Sequence, residues 1–292
     1  TADVLTATAG GSIELYTDVE SLVVATSQSG DIRVIETDSL SLTNLATHDG
    51  AITVSAGGLL AAVLVDTSNT DDGTNHIDLS TTIGDLAVTR INAGTQNNVL
   101  LTAEAGFITD PGTADIEVTA NVLTASSAGP ITLDTEINSL GVVSTDTGGL
   151  FIDETGDFTI TSMVSQDGPI RITTTGHLEI LSLVSLKDDD RNDVTLISTG
   201  GNIIVGTVDV GKEGDATLTA AGSITEDGDS TTLLTADVMV ASANGGVTLD
   251  TDIAAASILT NAVGNVDIDE TDDITLSSLS INNGSITVDT AG

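Results

Sequence analysis

Two aliphatic residues flanking one variable residue recur along this chain at short, regular intervals. The first instances are Ile13-Glu14-Leu15, Ile32-Arg33-Val34 and Ile52-Thr53-Val54. They return as Ile131-Thr132-Leu133, Leu150-Phe151-Ile152 and Ile170-Arg171-Ile172, then as Val247-Thr248-Leu249, Val266-Asp267-Ile268 and Ile286-Thr287-Val288. Within each set, successive triplets stand 19 and then 20 residues apart. Alternation with a period of two predicts a strand whose outer pair points inward and whose middle residue points outward. Most triplets follow a glycine within two positions, as in SGDI, DGAI, AGPI and DGPI. Gly, Asn and Asp supply the left-handed backbone of tight turns. A second strand per interval is visible in SLSLTNL, DFTITSM and DITLSSL, which are rich in strand-favouring residues. No stretch carries a sustained helical apolar stripe. VTLDTDIAAASIL comes nearest, and its equivalents ELYTDVESLVV and LDTEINSLGVV predict strand–turn–strand.

An interval of this length is too short for a domain and suits one coil of a β-solenoid, about 19–24 residues arranged as three short strands. A longer period lies above it. Residues 1–58 align without a gap with 119–176 and with 235–292, and residues 71–94 align with 188–211. The chain therefore reads as solenoid module 1 (1–118), module 2 (119–234) and the first half of module 3 (235–292), one continuous solenoid. The second half of module 2 has looser anchors, Val194-Thr195-Leu196 and Ala216-Thr217-Leu218. Starting and stopping at equivalent points of the repeat, the sequence is expected to be an excerpt of a longer mature chain, or to have been cut at repeat boundaries.

Composition narrows what such a solenoid can do. Aromatic residues make up 1% of the chain, so the core must be built from Val, Ile, Leu and Ala stacked coil on coil. The formal net charge is −38, from 44 acidic and 6 basic residues. A nucleic-acid ligand needs a basic face, and an anionic membrane surface repels such a chain. The basic residues are Arg33, Arg90, Arg171, Lys187, Arg191 and Lys212, and none recurs at an equivalent position of the gap-free copies. Cysteine is absent, which rules out disulfides, thiolate zinc sites and Cys nucleophiles. No apolar run is long enough to span a membrane, so no membrane insertion is expected.

Acidic clusters at strand ends are the best candidates for chemistry. VIETDS (34–39) corresponds to IDETGD (152–157) and IDETDD (268–273). Asp153, Glu154 and Asp157, and likewise Asp269, Glu270, Asp272 and Asp273, are the candidate oxygen ligands for calcium. Ordinary capped turns use the same residues. The first copy has Ile35 where the others have Asp153 and Asp269, and no calcium-binding nonapeptide or EF-hand loop is present. The runs Lys187–Asp193 and Asp71–His76 lengthen their coils and are expected to be solvated loops. His48 aligns with Gln166 and Asn282, so that position calls for a polar turn residue. No pair of His48, His76 and His177 has metal-ligand spacing. No nucleophile elbow, phosphate loop or other catalytic motif appears, and charge and Phe151 interrupt the outward Thr positions that a flat ice-binding array would need. Asn283-Gly284-Ser285 is a single glycosylation-type sequon.

Strings such as LTAAGSITEDGD (218–229), TADVMVASANGGVTLDT (235–251) and NVDIDETDDITLSSL (265–279) resemble giant bacterial surface proteins of the filamentous-haemagglutinin-like, β-strand-repeat adhesin type. The resemblance covers essentially the whole chain and is one of pattern. It implies an all-β fold, a right-handed parallel β-helix, export to the bacterial cell surface or beyond, and a part in adhesion or fibre formation. It brings no catalytic residues. The expected function is a non-enzymatic structural segment of an extracellular fibre or adhesin stalk. It would associate end to end, with further repeats of the same chain or with other cell-surface or matrix components. The rivals are a calcium-dependent surface-layer or matrix protein and a polysaccharide-active β-helix enzyme. Sugar sites need aromatic platforms, and lyases need a basic residue; the chain is poor in both.

Overall fold

The computed structural model describes residues 2–112, 115–229 and 232–291, and among them there are strands and turns but no helix. The chain divides into two compact units, Thr1–Asp146 and Thr147–Gly292. Each is a β-solenoid of stacked parallel strands.

In the first unit the triplets stack in register. Ile13 pairs with Ile32, then Ile52, Ile77, Val99 and Leu123; Leu15 pairs with Val34, then Val54, Leu79, Leu101 and Ala125. These two columns face inward and are buried almost throughout, because alternation sends every second side chain to the same face. The outward column between them reads Glu14, Arg33, Thr53, Asp78, Leu100 and Thr124, with no fixed chemistry. A full coil has three faces, as in Ile52–Ala56, Leu60–Ala62 and Val65–Asp66. In the earlier coils one continuous strand, Val19–Thr26, covers the last two faces, and a register shift after Leu22 marks the corner.

The second unit repeats this plan. Leu150, Ile170, Val194, Ala216 and Met239 form one inward column, and Phe158, Leu178, Ile203, Ile224, Val247, Val266 and Ile286 another. The looser anchors Val194 and Ala216 thus lie in the same column as the regular ones.

Equivalent triplets of successive modules do not share a face. Ile13 opens the column that runs to Val99, but its equivalent Ile131 pairs with Ile108, at the end of the column Leu40–Leu60–Leu86–Ile108. In the second unit Leu150 and Ile170 lie in one column, while Val247 joins the column of Phe158 and Leu178. A module is therefore not a whole number of coils, and the motif moves on by one face.

Strand ends carry buried hydroxyls that cap the turn after them. Thr81 Oγ1 donates to the Gly84 carbonyl and Thr47 Oγ1 to that of Gly50, each at 2.6 Å. Gly168 stands at such a turn with φ +142°. A Cβ there would collide with the Gly148 carbonyl one coil away, so coil spacing and backbone conformation both require glycine.

Candidate functional site

The repeated Glu-Thr pair follows the inward triplet on its strand, so alternation turns the glutamate side chain toward the interior. Glu36, Glu154 and Glu270 are all buried. Glu36 Oε2 accepts the Val19 N–H of the preceding coil at 3.2 Å, and Oε1 accepts the N–H of Thr37 at 2.8 Å. Glu270 does the same in the second unit, accepting from Ile253 N at 3.3 Å, Thr271 N at 2.9 Å and Thr251 Oγ1 at 2.8 Å. The cause is a corner mismatch. Ile13–Thr17 passes to Val19–Thr26 through Asp18 alone, whereas the next coil needs Thr37, Asp38 and Ser39 between its strands. The glutamate fills the difference, and it shares the N–H of Thr37 or Thr271 with the backbone carbonyl of Thr17 or Thr251.

Stacking gathers further carboxylates around these glutamates. Asp18, Glu36 and Asp38 offer oxygens within 4.8 Å of one another, and so do Asp252, Glu270 and Asp272. Hard cations such as Ca²⁺ take sets of this kind. In the second set Lys212 is ion-paired with Asp252 and lowers its carboxyl below the usual range. The first set has no such cation against it among the described ion pairs. It borders a cavity of about 250 Å³ lined by Asp3, Asp18, Glu20, Asp38 and Ser39.

The candidate ligands read from the sequence are only partly brought together. Glu270 and Asp272 meet, but their third partner is Asp252 from the coil before. Asp273 joins no carboxylate group among the described residues. Asp269 lies in register between Asp250 and Asp289, and its carboxyl is raised by desolvation and by the charges of Asp250, Asp267 and Asp289. In the second copy Asp153 approaches Arg171 at 3.7 Å, Glu154 is buried, and Asp157 Oδ1 accepts the His177 N–H at 2.6 Å. Gly156 stands where the other copies have Asp38 and Asp272, so the full triad is not rebuilt there. Asp18 and Asp252 were missed because their contacts with the glutamates cross one coil. Their signal was an acid at equivalent positions of the gap-free copies.

A third group has no counterpart in the repeat. Asp110, Glu117 and Asp134 place carboxyl oxygens within 4.8 Å of one another. Glu117 is fully buried, and the Asp134 N–H donates to its Oε2 at 2.8 Å. Burial pushes the Glu117 carboxyl up to about 7; the charges of Asp134 and Asp110 add to this, while the Asp134 N–H opposes it.

The extended loops close on themselves. Arg191 grips Asp189 through Nε at 2.9 Å and Nη2 at 3.1 Å, Lys187 pairs with Asp167 at 2.8 Å, and buried Asn192 donates to the Lys187 carbonyl. The Arg191 hydrogen bonds hold Asp189 down at about 2. Each histidine makes a turn contact. His76 Nδ1 accepts the Asn98 N–H at 3.0 Å, His177 Nδ1 accepts that of Asn202 at 2.9 Å, and His48 Nδ1 lies 2.8 Å from Asn69 Nδ2.

No family model, no curated protein and no solved structure matches this chain. Among the described residues no helix is long and apolar enough to cross a membrane.

Proposed function

We propose that this chain is a structural repeat segment of a long extracellular fibre or bacterial cell-surface adhesin stalk, and that its role is mechanical and not catalytic. One observation carries the reading. The inward positions stack in register from coil to coil, Ile13 on Ile32, then Ile52, Ile77, Val99 and Leu123, so each coil is held by its neighbours through backbone pairing and aliphatic contact. The outward columns vary in chemistry, which suits a scaffold better than a repeated binding face. Dense negative charge keeps such polymers apart laterally. Electron microscopy of the concentrated chain tests this: filaments of uniform width support it, and isolated particles at every concentration and salt level count against it.

The Asp18–Glu36–Asp38 set favours a second reading, a calcium-stabilised surface-layer or matrix protein. Millimolar calcium would then raise the melting temperature beyond sodium at equal ionic strength, and Asp38→Asn would remove the difference.

A further inference from the structure

We infer that the Asp110–Pro111 peptide bond is a self-cleavage site, with the Asp110 side chain as nucleophile and Glu117 as proton donor. Here the repeat is broken at both positions at once. AGFITDPGTADIEV (105–118) aligns with AGSITEDGDSTTLL (221–234), so Asp110-Pro111 faces Glu226-Asp227 and Glu117 faces Leu233. This is the chain's one Asp–Pro bond. Proline makes it a tertiary amide, whose nitrogen carries no hydrogen and accepts a proton more readily than other peptide nitrogens do.

The backbone is held for the reaction. Asp110 donates its N–H to the Thr132 carbonyl of the next coil at 3.2 Å, which anchors the strand end Ile108–Thr109. Its Oδ1 accepts the Gly112 N–H at 2.6 Å, so the carboxylate lies along the peptide that follows it. Gly112 follows at φ +73°, a left-handed conformation that favours glycine. Glu117 is fully buried with its carboxyl within 4.8 Å of that of Asp110. Burial pushes its carboxyl up to about 7, and the charges of Asp134 and Asp110 add to this. A buried carboxylic acid close to the attacking carboxyl group can serve as the general acid for the leaving nitrogen of the same residue's peptide bond.

The carboxylate oxygen of Asp110 attacks the carbonyl carbon of Asp110 and closes a five-membered anhydride. The C–N bond to Pro111 breaks, and the proline nitrogen takes the Glu117 proton. Water opens the anhydride, leaving Asp110 as a new C-terminus with both carboxyl groups free, and Glu117 regains a proton from solvent. The net change is addition of one water, with no redox partner and no metal. Holding nucleophile and acid in place is the fold's contribution.

The test uses the whole chain, incubated between pH 5 and 8 and analysed by intact mass under denaturing conditions. Fragments 1–110 and 111–292 are expected, forming more slowly as pH rises through 7. Glu117→Gln, which keeps the shape of the protonated acid, should slow the cut by about a hundredfold or more with an unchanged circular dichroism spectrum. Asp110→Glu, which disfavours the five-membered ring, should abolish it. Absence of the fragments at pH 5 overturns the proposal. So does cleavage at the same rate in urea, or wild-type cleavage by Glu117→Gln, since either makes the cut a property of the bare bond.

Discussion

Glu36 accepts the backbone N–H of Val19 at 3.2 Å, joining two coils through a buried carboxylate. A charged side chain thereby completes a corner of the wall. Glu36→Ala leaves the amides of Val19 and Thr37 without this partner, and a lost buried hydrogen bond costs about 1–3 kcal/mol. Amide exchange should accelerate most at Val19 and stay unchanged at Ile77, two coils beyond Glu36, because solenoid stability is local.

Inward and outward positions of one strand should respond differently. Ile172 is buried in the column Ile152–Ile172–Leu196, so Ile172→Ala is expected to cost about 2–5 kcal/mol. Its exposed neighbour Arg171 makes a long surface ion pair with Asp153, and Arg171→Ala should stay within about 1 kcal/mol of wild type. Urea titration of both variants compares them.

The pH dependence has a definite sign at Glu117. Its carboxyl is raised to about 7 in the folded chain, above its unfolded value. Between those values the folded state keeps a proton that the unfolded state has lost. The stabilisation is complete below the unfolded value and disappears as pH rises through about 7. Glu117→Gln should flatten the fall in melting temperature between pH 5 and 7, measured against wild type at constant ionic strength.

Asp269 sits in register between Asp250 and Asp289. Like charges on adjacent strands destabilise a sheet, so Asp269→Asn should stabilise the second unit by about 0.2–1 kcal/mol at low salt. The gain should shrink in high salt, where the repulsion is screened. Melting curves in low and high sodium chloride measure both.

Much of this architecture was legible in the sequence. Ile13-Glu14-Leu15 and its recurrences announced the strands, because burial on one face imposes a period of two. Leu60–Ala62 and Val65–Asp66 are too short to show a period, so the second and third faces were less distinct. The move of Ile131 onto the column of Ile108 was hidden, since a sequence repeat counts residues and not turns. The site divides in the same way. Glu270 and Asp272 were visible as neighbours in the chain, but Asp252 reaches them only through stacking. Glu117 carried a signal only across the repeat, where Leu233 stands at its position, because nothing in its local pattern marks it as buried.

Sedimentation velocity across a concentration series at high salt tests the structural reading most directly. A ladder of end-to-end species is expected, built by Ile286–Thr290 of one copy adding to Ile13–Thr17 of another, a contact that repeats without closing. Ile286→Arg and Val288→Arg change side chains that already lie outside the buried core, so they should leave the fold intact and collapse the ladder to the monomer. A single monomer boundary for the unaltered chain at every concentration, or a ladder indifferent to these variants, would contradict it.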